Sequence, residues 1–128
     1  MQQKILLVED DTDDQFFFTD VLREIDHCLE CIITENGREA LDYLINFPPP
    51  PDMIFLDLNM PLMNGFECLS ELKKKDEFKN IPVTIFTTSR SDTDRKRALG
   101  MGAKNFLTKT VDYIDFKTNI RAILLQSL

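Results

Sequence analysis

Short apolar runs alternate with amphipathic stretches along the whole chain. KILLV (4–8) is apolar after its first residue, which suits a strand covered on both faces. Residues 12–26 place Phe18, Val21, Leu22 and Ile25 at i, i+3, i+4 and i+7, the stripe of a helix packed on one side. LECIIT (29–34) alternates more and predicts an edge strand. ENGREALDYLI (35–45) predicts a helix with Ala40, Leu41, Leu44 and Ile45 facing inward. MIFLD (53–57) reads as the third strand, and GFECLSELKKK (65–75) as a helix with Phe66, Leu69 and Leu72 on one face. VTIFT (83–87) and NFLT (105–108) are the fourth and fifth strands, separated by a polar helix around 92–100. A last helix over 112–126 aligns Tyr113, Phe116, Ile120 and Ile123.

Five strands alternating with five helices imply right-handed βαβ crossovers and a parallel sheet with helices on both faces, an α/β architecture. In such sheets the working site lies beyond the carboxyl ends of the strands. Each strand end therefore matters. The first ends in Glu9-Asp10-Asp11, the third in Asp57, the fourth in Thr87-Thr88, and the fifth in Lys109. Asp57 closes a run that otherwise reads as core, and an ionised carboxylate there costs several kcal/mol unless something pairs with it. Its place is explained if the strand ends there and the side chain enters a polar site shared with the other strand ends.

Composition narrows the function classes. A chain of 128 residues, 43% hydrophobic and 29% charged, is the size and make-up of one globular domain, here taken as residues 1–128. No apolar run approaches the ~18 residues that a membrane span needs, and the acidic N-terminus is unlike a secretory signal. A net charge of -7 argues against a nucleic-acid partner, which requires a basic footprint. Three cysteines, an odd number, point to reduced thiols and a cytoplasmic location.

Glu9, Asp10 and Asp57 crowded together would repel one another and have raised pKa values. A divalent cation relieves this, and carboxylate and carbonyl oxygens suit Mg²⁺, which shares its shell with substrate phosphate. Lys109 supplies a compact positive charge and Thr87 a hydroxyl, both suited to phosphate oxygens. An aspartate beside such a cation can itself accept a phosphoryl group. Polar strand ends are common, but suitable residues at so many ends of one sheet edge outweigh that simpler explanation.

These motifs in order resemble the receiver domain of two-component response regulators, across nearly the whole chain. LLVEDD resembles the family's first-strand acidic motif, ENGREAL its second-helix opening and LDLNMPLMNG its phosphoacceptor motif. TIFTTS carries the switch threonine, and GAKNFLTK the aromatic and the lysine. The resemblance implies a flavodoxin-like, doubly wound sheet in the order 2-1-3-4-5. It implies that Asp57 is phosphorylated, with Glu9, Asp10, Asp57 and the backbone carbonyl of Asn59 holding Mg²⁺, for which Mn²⁺ can substitute. Thr87, Thr88 and Lys109 would contact the phosphoryl group, and Phe106 would be the aromatic that swings inward on activation. The donor would be a histidine kinase or a histidine phosphotransfer protein. The product, in a chain expected to stand alone without an output domain, would be a changed surface on the fourth helix, fifth strand and fifth helix for a protein target. Whether two copies pair is left open. One departure stands out. The family usually has Pro after the lysine, commonly with a cis bond, and here it is Lys109-Thr110. Either a non-proline cis bond is carried at a cost of ~3–4 kcal/mol, or the bond is trans and the loop is reshaped.

Two other functions fit the same elements. A Mg²⁺-dependent phosphohydrolase with an aspartate nucleophile would use Asp-x-Asp near its first strand, but here the motif is Asp57-Leu58-Asn59 in the third, and Asn59 cannot relay a proton. A flavin-binding module would place its phosphate cradle after the first strand, where this chain has acids. Elsewhere, Pro48 to Pro51 predict a polyproline II spacer of about 12 Å. Cys28-x-x-Cys31 reads as packing thiols and His27 as a surface turn residue. Gly100-Met101-Gly102 reads as a helix end, Lys73-Lys74-Lys75 as a solvated last turn, and the Arg95-Lys96-Arg97 helix as weakly packed. Phe16 points away from its helix's apolar stripe, and the resemblance implies a docking contact for the kinase's phosphohistidine helices.

Overall fold

The computed structural model describes residues 3–126. Its elements run β1 (Lys4–Val8), α1 (Thr12–Ile25), β2 (Glu30–Thr34), α2 (Gly37–Asn46), β3 (Met53–Leu56), α3 (Gly65–Lys74), β4 (Val83–Thr87), α4 (Asp92–Gly100), β5 (Asn105–Thr108) and α5 (Tyr113–Leu125). The strands form one parallel sheet in the order β2-β1-β3-β4-β5. Every strand and helix expected from the pattern is present, with ends shifted by one or two residues. The largest shift is at α2, which starts at Gly37 because Asn36 is its cap. Each helix begins on a side chain that accepts the backbone N–H three residues on: Asp11, Asn36, Asn64, Ser91 and Asp112. These caps satisfy N–H groups that would otherwise lack a partner where each helix leaves the site edge.

The central strands are buried on both sides, and alternate residues supply two separate cores. Leu6, Val8, Ile54, Leu56, Val83 and Ile85 face the α2–α3–α4 side. Ile5, Leu7, Met53, Phe55 and Phe86 face the α1–α5 side, where Phe18 meets the rings of Phe55, Phe86 and Phe116 at centroid distances of 4.8, 5.6 and 6.3 Å. The weakly amphipathic α4 buries only Ala98 among its own residues and is tethered at its surface by the Arg97 guanidinium, 3.9 Å from the Phe66 ring on α3. Gly102, at φ 105°, makes the left-handed exit from α4.

Several side-chain expectations are corrected. Ile45 is 58% exposed, at a surface depression beside Pro48 and Phe78, and of the expected set only Ala40, Leu41 and Leu44 reach the core. Cys28 is exposed in the turn before β2 and is not a packing thiol, whereas Cys68 is buried. In the four-proline tract the Pro48–Pro49 bond is cis. Lys73 is not simply solvated: its ammonium donates to the Lys79 carbonyl at 2.9 Å. Asp57 lies one residue beyond β3, not within it.

The four-ring contact around Phe18 carries much of the α1–sheet–α5 packing. Phe18→Ala should lower unfolding free energy by about 3–5 kcal/mol with the fold retained, read from denaturant melts. A loss below ~1 kcal/mol would show that the site collapses around the missing ring.

Candidate functional site

The parallel register brings the strand ends to one edge. The Glu9 N–H donates to the Thr34 carbonyl at 2.9 Å and the Asp57 N–H to the Val8 carbonyl at 3.0 Å, extending the sheet pattern just past β1 and β3. Beyond Asp57 the chain folds back at once: the Gly65 N–H donates to the Leu58 carbonyl at 2.9 Å. A Cβ at Gly65 would overlap the Asp57 carbonyl oxygen and lie 2.7 Å from the Leu58 Cα, so only glycine permits this close return. Asn64 and Glu67 close the loop as a reciprocal capping box. Leu62, in the same loop, has φ 65°, a left-handed backbone rare for a bulky residue.

Glu9 is fully buried and Asp57 only 5% exposed, while Asp10 is exposed; the three can bring carboxylate oxygens within 4.8 Å of one another. The Lys109 ammonium enters this group, 2.5 Å from Glu9 Oε1, 2.8 Å from Asp14 Oδ2 and 3.5 Å from Asp57 Oδ2. It also lies 5.0 Å from the Phe86 ring centroid. The Lys109 N–H donates to the Thr87 carbonyl at 2.6 Å. Among the described residues the only cis bond is Pro48–Pro49, so the alternative left open at Lys109-Thr110 resolves to trans, with the ammonium still inside the site.

Burial pushes the Glu9 carboxyl up to about 7, against the Lys109 contact and with help from the Asp57 charge. Burial also raises Asp57, opposed by Lys109 and by the backbone amides of Asn59 and Leu58. For Lys109, burial acts downward, but the contacts to Asp14 and Glu9 and the Asp57 charge prevail and raise it. One ammonium thus serves three carboxylates and satisfies none of them completely. Glu9 Oε1 in particular is buried, and its one partner among the described residues is the Lys109 ammonium, which it shares with Asp14 and Asp57. A buried carboxylate oxygen that shares its only cation, beside two further acids, all hard oxygen donors, fits a divalent cation.

The remaining expected residues are distributed around this centre. Thr87 is fully buried and its Oγ1 accepts the Ser89 N–H at 3.2 Å; Thr88 is exposed beside it. Asn59 is exposed and lines an open depression of about 560 Å³ with Asp10, Asn64 and Asp94. Phe106 sits opposite Ile85 in the sheet, half-buried, at a groove shared with Arg95 and Leu99 of α4. Phe16 is 65% exposed on α1. His27 is exposed in its turn, where Asp26, His27 and Cys28 could also bring ligand atoms together, without burial. Two participants were not legible in the sequence. Asp14 reaches Lys109 from the first turn of α1, and Gln15 Nε2 donates to the Glu9 carbonyl at 2.7 Å. The available signal was the acidic first turn at Asp13 and Asp14, on a helix that starts at the site edge.

A doubly wound α/β sheet with an acid cluster and a lysine at its carboxyl edge is the architecture of a receiver domain. The family model for the response regulator receiver domain matches residues 5–121, and the chain belongs to that family, which works in two-component signalling with sensor histidine kinases. It is 32% identical over 121 residues to the protein PilH of Pseudomonas aeruginosa, covering 94% of this chain and 97% of PilH. The Mn²⁺-bound form of response regulator Rcp1, a protein of Synechocystis, superposes with a TM-score of 0.84 at 32% identity, covering 94% of this chain and 91% of that one. The phosphorylated cyanobacterial phytochrome response regulator RcpA superposes with a TM-score of 0.88 at 29% identity, covering 96% and 91%. No helix among the described residues is long and apolar enough to cross a membrane.

The raised Glu9 carboxyl makes stability pH-dependent. Between its ordinary value of 4.5 and about 7 the folded state holds a proton that the unfolded chain has lost, so stability falls as pH rises through that window. In metal-free buffer, denaturant melts from pH 5 to 7.5 should show a loss on the order of 1–2 kcal/mol. Glu9→Gln should flatten the slope, as should a saturating divalent cation. An equal slope in Glu9→Gln would assign the effect to other groups.

Proposed function

We propose that Asp57 is the phosphoryl acceptor of this receiver and that Glu9, Asp10, Asp57 and the Asn59 carbonyl hold Mg²⁺, or Mn²⁺ in its place. The observation that carries this reading is a nearly buried Asp57 at the end of β3, beside the fully buried Glu9 carboxylate and the Lys109 ammonium that both share. The cation, when bound, offsets the crowded negative charge and orders phosphoryl oxygens. The chain's own residues do the rest. An oxygen of ionised Asp57 forms the new P–O bond with a histidine kinase's or phosphotransfer protein's phosphohistidine. The P–N bond breaks, its electron pair remains on the imidazole nitrogen, and Asp57 has no proton to lose. Lys109 donates to the transferring oxygens, and the Thr87 hydroxyl turns to them from its present place beneath Ser89, with Thr88 at the mouth.

Movement of Thr87 is then passed to the output face. Turning its Oγ1 removes the acceptor of the Ser89 N–H, and the space vacated lets Phe106 move inward from the groove beside α4. A Phe loses no hydrogen bond on entering, so the inward form is already populated and phosphorylation shifts an existing equilibrium. The α4–β5–α5 surface is the part read by a protein target, and exposed Phe16 on α1 is a contact for the donor. On this reading the receiver acts by its surface and not by catalytic turnover of a separate substrate. The three thiols, which form no disulfide among the described residues, suit a reducing cytoplasm.

Acetyl phosphate with Mg²⁺ or Mn²⁺ should place one phosphoryl group on the protein. Asp57→Asn or EDTA should abolish the label, and label persisting at the wild-type level in either would remove the assignment. For the switch, side-chain NMR of Phe106 should respond to beryllofluoride, a phosphoryl mimic, in the wild type but not in Thr87→Ala. An identical response in both proteins would show that Thr87 is not the link.

A further inference from the structure

We infer that Asp14 is a positioning residue for phosphoryl transfer: it holds the Lys109 ammonium off Asp57 and so sets how readily the site accepts a phosphoryl group. The inference rests on the reading of Asp57 as acceptor. An ammonium has three hydrogens to donate, and here its neighbours are Glu9, Asp14 and Asp57, at 2.5, 2.8 and 3.5 Å. Asp57, the group the lysine is needed beside, has the longest contact. Asp14 has a well-formed charged hydrogen bond to the ammonium.

Its placement is built in by the helix start. The Asp14 N–H donates to the Asp11 cap at 3.0 Å, and Gln15 next to it ties back to the Glu9 carbonyl at 2.7 Å. The first turn of α1 is thereby fixed to the end of β1, with the Asp14 side chain 37% exposed at the rim and Lys109 11% exposed beneath it. Glu9 belongs to the set of oxygens that can meet around a cation, and Asp14 does not. With a cation bound, Glu9 divides its charge between the cation and the lysine, while Asp14 remains the ammonium's undivided partner. An incoming phosphoryl group must therefore draw Lys109 away from Asp14 before its oxygens can receive that contact. Asp14 also adds a negative charge beside the path of an anionic donor. Both effects oppose phosphoryl entry. In the transfer itself, Asp57 forms the P–O bond, the donor's leaving group takes the electron pair of the broken bond, and Asp14 touches neither.

The test compares wild type, Asp14→Asn, Asp14→Glu, Lys109→Gln and the Asp14→Asn/Lys109→Gln double variant at saturating Mg²⁺. Two readouts are used: the beryllofluoride concentration for half-occupancy, followed by NMR, and the initial rate of labelling by subsaturating acetyl phosphate. Asp14→Asn should lower the half-occupancy concentration and raise the rate by about three- to ten-fold, and Asp14→Glu should stay near wild type. In the Lys109→Gln background the same Asp14 change should have less than about a two-fold effect, because the group it acts through is gone. A wild-type response in Asp14→Asn, a weaker one, or an equal gain without Lys109 would overturn the inference. A wild type that takes neither beryllofluoride nor label at Asp57 overturns the acceptor reading and this inference with it. Label at Asp57 that is indifferent to Asp14 overturns this inference alone.

Discussion

A single ammonium stands among more carboxylates than it can neutralise, and the arrangement of this domain follows from that shortage. Lys109 is anchored by its own backbone to the end of β4, crosses the Phe86 ring and reaches acids from β1, α1 and β3. Without it, Glu9 and Asp57 would be buried like charges, a costly arrangement in low dielectric. With it they persist, but both carboxyls remain raised by burial and share that one ammonium with Asp14. The site is therefore stable enough to exist and charged enough to attract a cation.

The fold serves this arrangement by aligning strand ends. The close return at Gly65 lets the loop after β3 double back beside Asp57, and a capping side chain pairs an N–H at each helix start along the same edge. Thr87 lies on the other side of Asp57's neighbourhood, fully buried, its Oγ1 accepting the loop N–H of Ser89. Its hydroxyl proton is left to donate, and a hydrogen bond to a charged acceptor is worth roughly twice a neutral one.

What the sequence made legible was what repeats along it. Continuous apolar runs at KILLV, MIFLD and VTIFT identified central strands, because only a strand covered on both faces tolerates that composition, and the polar residue ending each run marked the site edge. The weaker alternation of LECIIT placed β2 at an edge, and among the described residues β2 pairs with β1 alone. Less legible was anything set by three-dimensional approach. Asp14 is one of several acids in EDDTDD, and nothing in their order says which one meets a lysine 95 positions away. Ile45 fits the helical period yet lies at the surface, because the period gives direction around a helix and not the extent of what it packs on. Residue type suggests a packing thiol at Cys28, but it lies exposed in a turn.

The sheet divides the interior into two cores that share no side chain, one almost wholly aliphatic beneath α2, α3 and α4, the other setting Phe18, Phe55, Phe86 and Phe116 among aliphatic residues beneath α1 and α5. Substitutions separated by a layer of backbone combine nearly additively. In evolutionary terms the two faces are therefore free to diverge at different rates: a lineage can recut one flank for a new acquaintance while the opposite flank keeps its shape. The strands between them lend alternate residues to each flank and carry the chemical centre at their carboxyl ends.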